Sequence, residues 1–198
     1  MLRKSAEVYK LKKQDPRVTR TERLLMDALM KLILEEGYDA ITVRDIVQKA
    51  GVNRSTFYLH FRDKQDIMSH LENDLLSQLT EAMIDPTYSQ ESALSDYQMY
   101  GTPSKTAVAL FSHVEKYAPL YRTMLVERDF RARVTQSIRQ DILPLMNHEF
   151  DAAFGSNGIV GVMIHWLESG MTESVTDMSL WLTRMSLFPM GITGNSNP

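Results

Sequence analysis

The sequence contains no cysteine, which excludes disulfide bonds and thiolate metal sites and favours a reducing compartment. It also lacks an apolar run of about 18 residues, the length that a membrane-spanning helix requires. Its first residues, MLRKSAEVYKLKKQDPRV, contain no apolar segment of the kind found in secretory signals. We therefore expect a soluble, cytoplasmic protein without a membrane span.

Motifs for catalysis and cofactor binding are missing as well. No glycine-rich phosphate loop and no G-x-S-x-G motif occur in the chain. No Asp, Glu or second His stands at metal-ligand spacing from any of the five histidines, which are His60, His70, His113, His148 and His165. The sequence predicts no enzyme, no metal site and no cofactor.

The chain contains enough apolar residues to form a sizeable core, and its charged residues are unevenly distributed along the sequence. Of its 198 residues, 43% are apolar, and the net charge is −3. Residues 1–64 hold 14 Lys and Arg against nine Asp and Glu, whereas residues 65–198 hold eight against 16. A basic first part and an acidic remainder indicate that nucleic acid binds at one end only.

The most informative stretch is TVRDIVQKAGVNRSTFYLHFRDK, residues 42–64. The apolar residues from Val43 to Ala50 have the i, i+3, i+4, i+7 spacing of one helix face. Thr42 stands at the N-cap with Asp45 three residues later, and Gly51 follows the last periodic residue. Asn53 then caps a second helix, which carries Phe57 and Phe61 on its buried side. Two short helices around a three-residue turn predict a helix-turn-helix.

The other face of the second helix is polar and suits DNA. Its side chains donate and accept hydrogen bonds in the way that phosphates and base edges require, and the N-terminus of the helix attracts a phosphate. The candidate DNA-binding residues of the motif are Thr42, Arg44, Asn53, Arg54, Ser55, Thr56, Tyr58, His60 and Lys64.

The run EEGYDAITVRDIVQKAGVNRSTFYLHFRDKQDI resembles the DNA-binding domain of the tetracycline-repressor (TetR) family of bacterial regulators. The form NRSTFYLHF looks most like a subgroup that contains regulators of dihydroxyacetone kinase operons. In the last third, Gly161, Trp166-Leu167 and Gly170-Met171 resemble the body domain of the same subgroup. The resemblance implies an all-α fold, with a three-helix DNA-binding domain followed by a helical domain for dimerisation and effector binding.

This organisation predicts four segments, which are a basic arm (1–20), the DNA-binding domain (21–64), the regulatory and dimerisation domain (65–186) and a flexible tail (187–198). The basic arm is either a frayed terminus or an additional DNA contact. Thr21 is expected to cap the first helix, whose apolar stripe consists of Leu25, Ala28, Leu29, Leu32 and Ile33.

The sequence of the regulatory and dimerisation domain predicts further helices. A fourth helix begins at Asp63 and carries Ile67, Leu71, Leu75 and Leu79. Residues 85–104 are polar, and they either contain a short helix near residues 92–100 or are mobile. One helix is expected from Asp129 to Phe150 with a kink at Pro144, another from Gly158 to Trp166, and a last one capped by Thr172.

Aromatic and methionine side chains in this part predict an effector site, although such residues more often form plain core. The candidate effector-binding residues are His113, Tyr117, Tyr121, Met124, Met163 and Trp166. Since no charge cluster accompanies them, we expect an apolar small molecule.

The sequence therefore predicts a dimeric, sequence-specific DNA-binding regulator. It is expected to be a repressor that binds a palindromic operator and is released by a small-molecule effector. The alternative is a regulator, either a repressor or an activator, whose body binds a protein partner instead of a small molecule. We expect the helices near 158–168 and 173–185 to form the homodimer interface.

Overall fold

The computed structural model of the protein describes residues 16–85, 87, 89–146 and 148–187. Across these residues the fold is all-α, and it divides into two compact units between Leu71 and Glu72. The helices that begin in the first unit are α1 (Pro16–Glu36), α2 (Val43–Ala50), α3 (Arg54–His60) and α4 (Lys64–Met83), with a 3-10 turn at Tyr38–Ala40. Those of the second are α5 (Gln90–Tyr100), α6 (Lys105–Lys116), α7 (Ala118–Met124), α8 (Arg128–Ile142), α9 (Glu149–Glu168) and α10 (Val175–Leu187).

The core of the first unit is built on α1. The predicted stripe from Leu25 to Ile33 is buried and packs α1 against α2 and α3, while Phe57 and Phe61 of the helix-turn-helix are buried with ring centroids 5.7 Å apart. Each such side chain stabilises the unit by roughly 1.5–3 kcal/mol through burial. Helix α1 begins at Pro16, so the prediction that Thr21 caps it is wrong. Proline is favoured at the first helical position, where a missing N–H costs nothing.

Helix α4 begins in the first unit and ends in the second. The Asp63 carboxylate accepts a hydrogen bond from the Asp66 backbone N–H at 2.8 Å, which satisfies a free donor of the first turn. The predicted residues with four-residue spacing are all buried, namely Ile67, Leu71, Leu75 and Leu79.

Between α4 and α6 the chain forms a helix, which decides between the two alternatives that the sequence left open. Ser89 caps α5 by accepting from the Ser92 N–H at 3.0 Å, and Gly101 ends it at a φ of 63°. Only Ala93 of its described side chains is buried, so α5 is a largely solvent-exposed helix that packs on α10.

Two predictions about the later helices are wrong. The helix expected to run from Asp129 to Phe150 ends at Ile142, and Pro144 lies in a 3-10 turn at Leu143–Leu145. Proline lacks the N–H that a continuing helix needs, and its ring clashes with the carbonyl four residues earlier. Helix α9 begins at Glu149 rather than at Gly158, and it continues through Gly155, Gly158 and Gly161 while packing against α8 and α7.

The last helix also begins later than predicted. Ser174, not Thr172, is its cap, because the Ser174 hydroxyl accepts from the Asp177 N–H at 3.1 Å and donates to the Asp177 carboxylate at 2.6 Å. The basic arm at 1–15 and the tail at 188–198 lie outside the described residues, whereas residues 16–20 belong to α1.

Candidate nucleic-acid interface and effector core

The turn between α2 and α3 is fixed at both ends by local hydrogen bonds. At the start of α2, Thr42 and Asp45 form a complete capping box, in which the Asp45 carboxylate accepts from the Thr42 hydroxyl at 2.6 Å and from its N–H at 2.9 Å. These hydrogen bonds lower the pKa of Asp45. At the end of α2, Gly51 has a φ of 68°, a conformation that other residues adopt only under strain. The direction in which α3 leaves the turn is therefore set by the sequence itself.

Asn53 organises the first turn of α3. Its side-chain oxygen accepts from the Thr56 N–H at 3.1 Å, from the Thr56 hydroxyl at 2.9 Å and from the Ser55 hydroxyl at 2.7 Å. Both hydroxyl protons point back to the cap, so the hydroxyl oxygens of Ser55 and Thr56 can still accept hydrogen bonds. An adenine or cytosine amino group is a donor of the matching kind.

The exposed side of α3 carries a preformed pair. The Arg54 guanidinium donates to the Tyr58 hydroxyl at 3.2 Å, and its central carbon lies 5.6 Å from the centroid of the Tyr58 ring. The edge of that ring stands against buried Phe57, with centroids 5.4 Å apart. Two long side chains are thus held near one geometry before any ligand binds, which reduces the entropy lost on binding.

Lys64 and His60 make contacts inside the first unit. The Lys64 ammonium donates to the backbone carbonyl of Tyr38 at 3.0 Å and lies 4.3 Å from the centroid of the Tyr38 ring. The His60 Nδ1 lies 3.4 Å from a carboxylate oxygen of Glu22 on α1. The structure gives these residues a bracing role, and their contact with DNA stays a prediction.

Among the other predicted residues, Arg44 is exposed on α2, and the Thr42 hydroxyl is used in the capping box. The sequence pattern passed over Leu59, which is 82% exposed in the second turn of α3. The sequence feature that could have identified Leu59 is that it is apolar at a helix position where the periodicity predicts a polar, solvent-exposed residue.

The predicted effector residues mostly belong to the core of the second unit. Five of the six are buried, and Tyr117 is half-buried. The ring of His113 lies 4.8 Å from that of Tyr117 and 5.9 Å from that of Tyr121, between centroids. Trp166 stands edge-on to Phe111 at 5.4 Å and donates its indole N–H to the Glu173 carbonyl at 3.0 Å.

Two polar atoms in this core lack a partner. The Nε2 atom of His113 and the hydroxyl of Tyr121 are buried and have no hydrogen bond to any residue that the structure describes. Burial, together with the charge of Lys116, lowers the pKa of His113 from 6.5 to about 4, and burial raises the pKa of Tyr121. Both side chains are therefore uncharged near pH 7, and each unpaired atom costs about 1–3 kcal/mol.

Several hydrogen bonds tie this core to the later turns of α4. The Tyr117 hydroxyl donates to the Gln78 side-chain oxygen at 2.7 Å, and the hydroxyls of Thr80 and Ser137 are 2.8 Å apart. The Arg133 guanidinium donates to the Glu72 carboxylate at 2.8 Å. A change around Tyr117 therefore acts directly on α4.

A groove on the second unit lies elsewhere. It is an open groove of about 570 Å³ lined by residues of α5 and α10, namely Tyr97, Gln98, Gly101, Leu180, Trp181 and Arg184. None of the six predicted effector residues lines it. None of the helices in the described ranges combines the length and the apolar character needed to cross a bilayer.

Two family models match the chain. One, bacterial regulatory proteins of the tetR family, covers residues 25–71, and the other, a transcriptional regulator C-terminal region, covers residues 101–187. The protein is similar to the fatty acid metabolism regulator of Bacillus subtilis (strain 168), with 24% identity over 79% of this chain and 73% of that protein. It is also similar to BetI of Escherichia coli O139:H28, with 24% identity over 80% and 86%. A shorter match at 35% identity, to the Bacillus subtilis regulator YvkB, spans only 27% of that protein.

Solved structures share the fold. The fatty acid degradation regulator FadR from Bacillus halodurans superposes with a TM-score of 0.63 at 16% identity, covering 90% of this chain and 98% of that one. The dihydroxyacetone kinase operon activator DhaS superposes with a TM-score of 0.62 at 15% identity, covering 84% and 94%. DhaS is one of several distant structural neighbours, so the subgroup suggested by NRSTFYLHF stays a prediction.

The two matched regions together span more than half of the chain, and they follow each other in the order of the two compact units. The matched families are families of regulators and not of enzymes. The protein belongs to the tetR family of bacterial regulatory proteins and is a DNA-binding transcriptional regulator.

Proposed function

We propose that this protein is a homodimeric repressor that acts in the cytoplasm, binds a palindromic operator through α3 and leaves it when a small molecule enters the core of the second unit. The observation that carries the effector part is the pair of unpaired polar atoms on His113 and Tyr121, beside a residue that is bonded to α4. Native cores seldom leave buried polar groups unsatisfied, and a bound ligand or an ordered water is the usual partner of such a group.

The proposed DNA contacts divide into two kinds. Tyr58 and Lys64, with Thr42, Arg44 and His60, would hold phosphates, which positions the helix but reads no sequence. Arg54, Ser55 and Thr56 are the candidates for base edges, with Asn53 as the cap that orients the two hydroxyls. Guanidinium groups bind guanine through two hydrogen bonds, which makes Arg54 the main candidate for specificity.

The proposed dimer interface uses α9 and α10. On α9, Phe150 is 88% exposed and Phe154 is 69% exposed, and Trp181 of α10 is 44% exposed. Gly158 and Gly161 follow on α9 with open space around them, which lets a second helix approach closely. Because two large aromatic side chains of α9 are exposed close together, a second copy of the chain is the simplest way to cover them.

The proposed effector is largely apolar and uncharged, with one carbonyl or hydroxyl group. Its polar group would pair with the Tyr121 hydroxyl and His113 Nε2, which are both uncharged near pH 7. Two relatives are named for fatty acid metabolism and degradation, so fatty alcohols and fatty acid methyl esters are the first compounds to test.

Release requires that the effector bind the DNA-free conformation more tightly than the DNA-bound one. A ligand that displaces the His113 and Tyr121 rings would move Tyr117, which contacts His113 and holds Gln78 of α4. Helix α4 begins in the DNA-binding unit, and it is therefore the proposed route of the signal.

The test combines thermal unfolding with fluorescence anisotropy on a labelled duplex that the protein itself selects from a random library. We expect a compound of the stated class to raise the melting temperature and weaken DNA binding of the wild type. Tyr121→Phe should lose both responses, while Tyr100→Phe, at an exposed position of α5, should keep them. A compound that stabilises both variants equally would show that it binds elsewhere.

A second candidate function follows from the structural similarity to DhaS, which is named as an activator. In that case the second unit binds a protein partner, and the groove lined by Tyr97 and Trp181 is the candidate binding surface. This candidate would be favoured if release from DNA, or activation of transcription, required a protein partner and no small molecule.

A further inference from the structure

Leu59 is the most exposed large apolar side chain in the described part of the first unit, at 82%. It lies two residues after Phe57, about 200° around the helix axis, so it points away from the core into which Phe57 is buried. Ser55 precedes it by one turn on the same face, and the Arg54–Tyr58 pair stands beside them. An isobutyl group thus occupies the middle of the polar face that the family uses on DNA.

A single exposed leucine is ordinary on a protein surface, and its position is what distinguishes this one. A leucine side chain cannot form hydrogen bonds with phosphates or with the polar atoms of base edges. The major groove presents one apolar group of its own, the C5-methyl of thymine, and side chains without polar atoms recognise it by contact. Removing both groups from water on binding is favourable.

We propose that Leu59 contacts the C5-methyl group of a thymine and thereby specifies a T·A pair at one position of each operator half-site. The inference rests on DNA binding, which family membership establishes, and does not depend on the effector. It adds a residue that specifies sequence without hydrogen bonds, next to the polar candidates Arg54, Ser55 and Thr56.

The experiment begins with duplexes selected from a random library by the full-length wild type. Each thymine of the selected duplex is then replaced in turn by deoxyuridine, which removes the methyl group and leaves base pairing and groove hydrogen bonds unchanged. We expect one thymine per half-site at which this replacement weakens wild-type binding by about threefold to tenfold. Leu59→Ala should bind the thymine and deoxyuridine duplexes equally well at that position.

Leu34→Ala is the matched control, because Leu34 is an exposed leucine of α1, at 54%, in the same unit. It should retain the wild-type response to deoxyuridine, and thermal unfolding should show both variants folded. If no thymine distinguishes the wild type from Leu59→Ala, the proposal is wrong. It is equally wrong if Leu59→Ala weakens every duplex by the same factor, because Leu59 would then pack against the sugar-phosphate backbone.

Discussion

At the scale of single residues, two buried polar groups in the described part of the second unit have no hydrogen-bond partner, although buried polar groups are normally hydrogen-bonded. His113 Nε2 and the Tyr121 hydroxyl have no partner among the described residues, whereas Tyr117 beside them donates to Gln78 at 2.7 Å. A buried group without a hydrogen bond destabilises the fold, and a bonded one stabilises it modestly. The two tyrosines should therefore respond to loss of the hydroxyl in opposite ways.

Tyr121→Phe is expected to raise the free energy of unfolding by about 1–3 kcal/mol, because it removes an unsatisfied hydroxyl from the core. Tyr117→Phe, the matched control, should lower it by about 1 kcal/mol through the lost bond to Gln78. Urea unfolding of both variants without ligand measures this. A clear loss of stability in Tyr121→Phe would contradict the account, since the hydroxyl would then be bonded in the native state.

His113 should make stability depend on pH. Burial lowers its pKa from 6.5 to about 4 in the folded state, so between these values the unfolded chain binds a proton that the folded chain does not. Stability is therefore full above pH 6.5 and declines as the pH falls toward 4, by about 2 kcal/mol at pH 5. His113→Phe should lose less stability than the wild type between pH 7.5 and 5 in urea unfolding. The control His148→Gln should behave as the wild type does.

At the scale of elements, the helix-turn-helix was predictable because every signal in it is local. Thr42 and Asp45 bond each other, Gly51 needs no neighbour to adopt a positive φ, and Asn53 caps its own helix. Helix α9 was not predictable in the same way. The sequence predicted that this helix begins at Gly158, whereas it begins at Glu149, includes three glycines and packs against both α8 and α7.

The sites differ for the same reason. The polar residues of α3 could be assigned from their period, but the period does not show that Lys64 braces the Tyr38 carbonyl or that His60 contacts Glu22. The effector residues were selected by composition alone, and composition does not show which polar atoms are left unpaired. Both features, the contacts of Lys64 and His60 and the unpaired polar atoms of the core, depend on residues that are distant in sequence.

Asn53 allows the capping and DNA-binding roles of α3 to be separated. Asn53→Asp should leave stability within about 0.5 kcal/mol of the wild type, because aspartate caps helices as well as asparagine does. Its negative charge should nevertheless weaken duplex binding by about tenfold through repulsion of phosphates. Asn53→Ala should lower stability by about 1 kcal/mol. Unchanged duplex affinity in a folded Asn53→Asp variant would place the cap away from DNA.

At the scale of the whole molecule, the proposed function requires two chains. One α3 reads one half-site, and the affinity for a palindrome depends on both being held together. The exposed aromatic residues of α9 and α10 form the surface that is proposed to hold them together. Asp151 is the charged residue between Phe150 and Phe154, and it lies about a quarter-turn from Phe150.

Phe154 is exposed on α9, and Leu182 is half-buried on α10. Phe154→Glu and Leu182→Glu are expected to yield monomers and to lose most of the affinity for the palindromic duplex, because a buried unpaired charge is costly. Val126→Glu is the control, since Val126 is 76% exposed in the same unit but lies between α7 and α8. Sedimentation velocity at micromolar concentration measures the assembly. A monomeric wild type, or dimeric forms of both variants, would contradict the proposed interface.

Recognition of the operator by α3 can be tested in a single binding measurement. Anisotropy with the selected duplex and with single-pair variants of it should be recorded for the wild type, Tyr58→Ala, Arg54→Ala and the control Arg131→Ala in the second unit. We expect Tyr58→Ala to weaken binding to all duplexes alike. Arg54→Ala should also reduce discrimination at one base pair by roughly 1–3 kcal/mol, and Arg131→Ala should bind as the wild type does. Wild-type affinity and discrimination in folded Tyr58→Ala and Arg54→Ala would contradict recognition of the operator by α3.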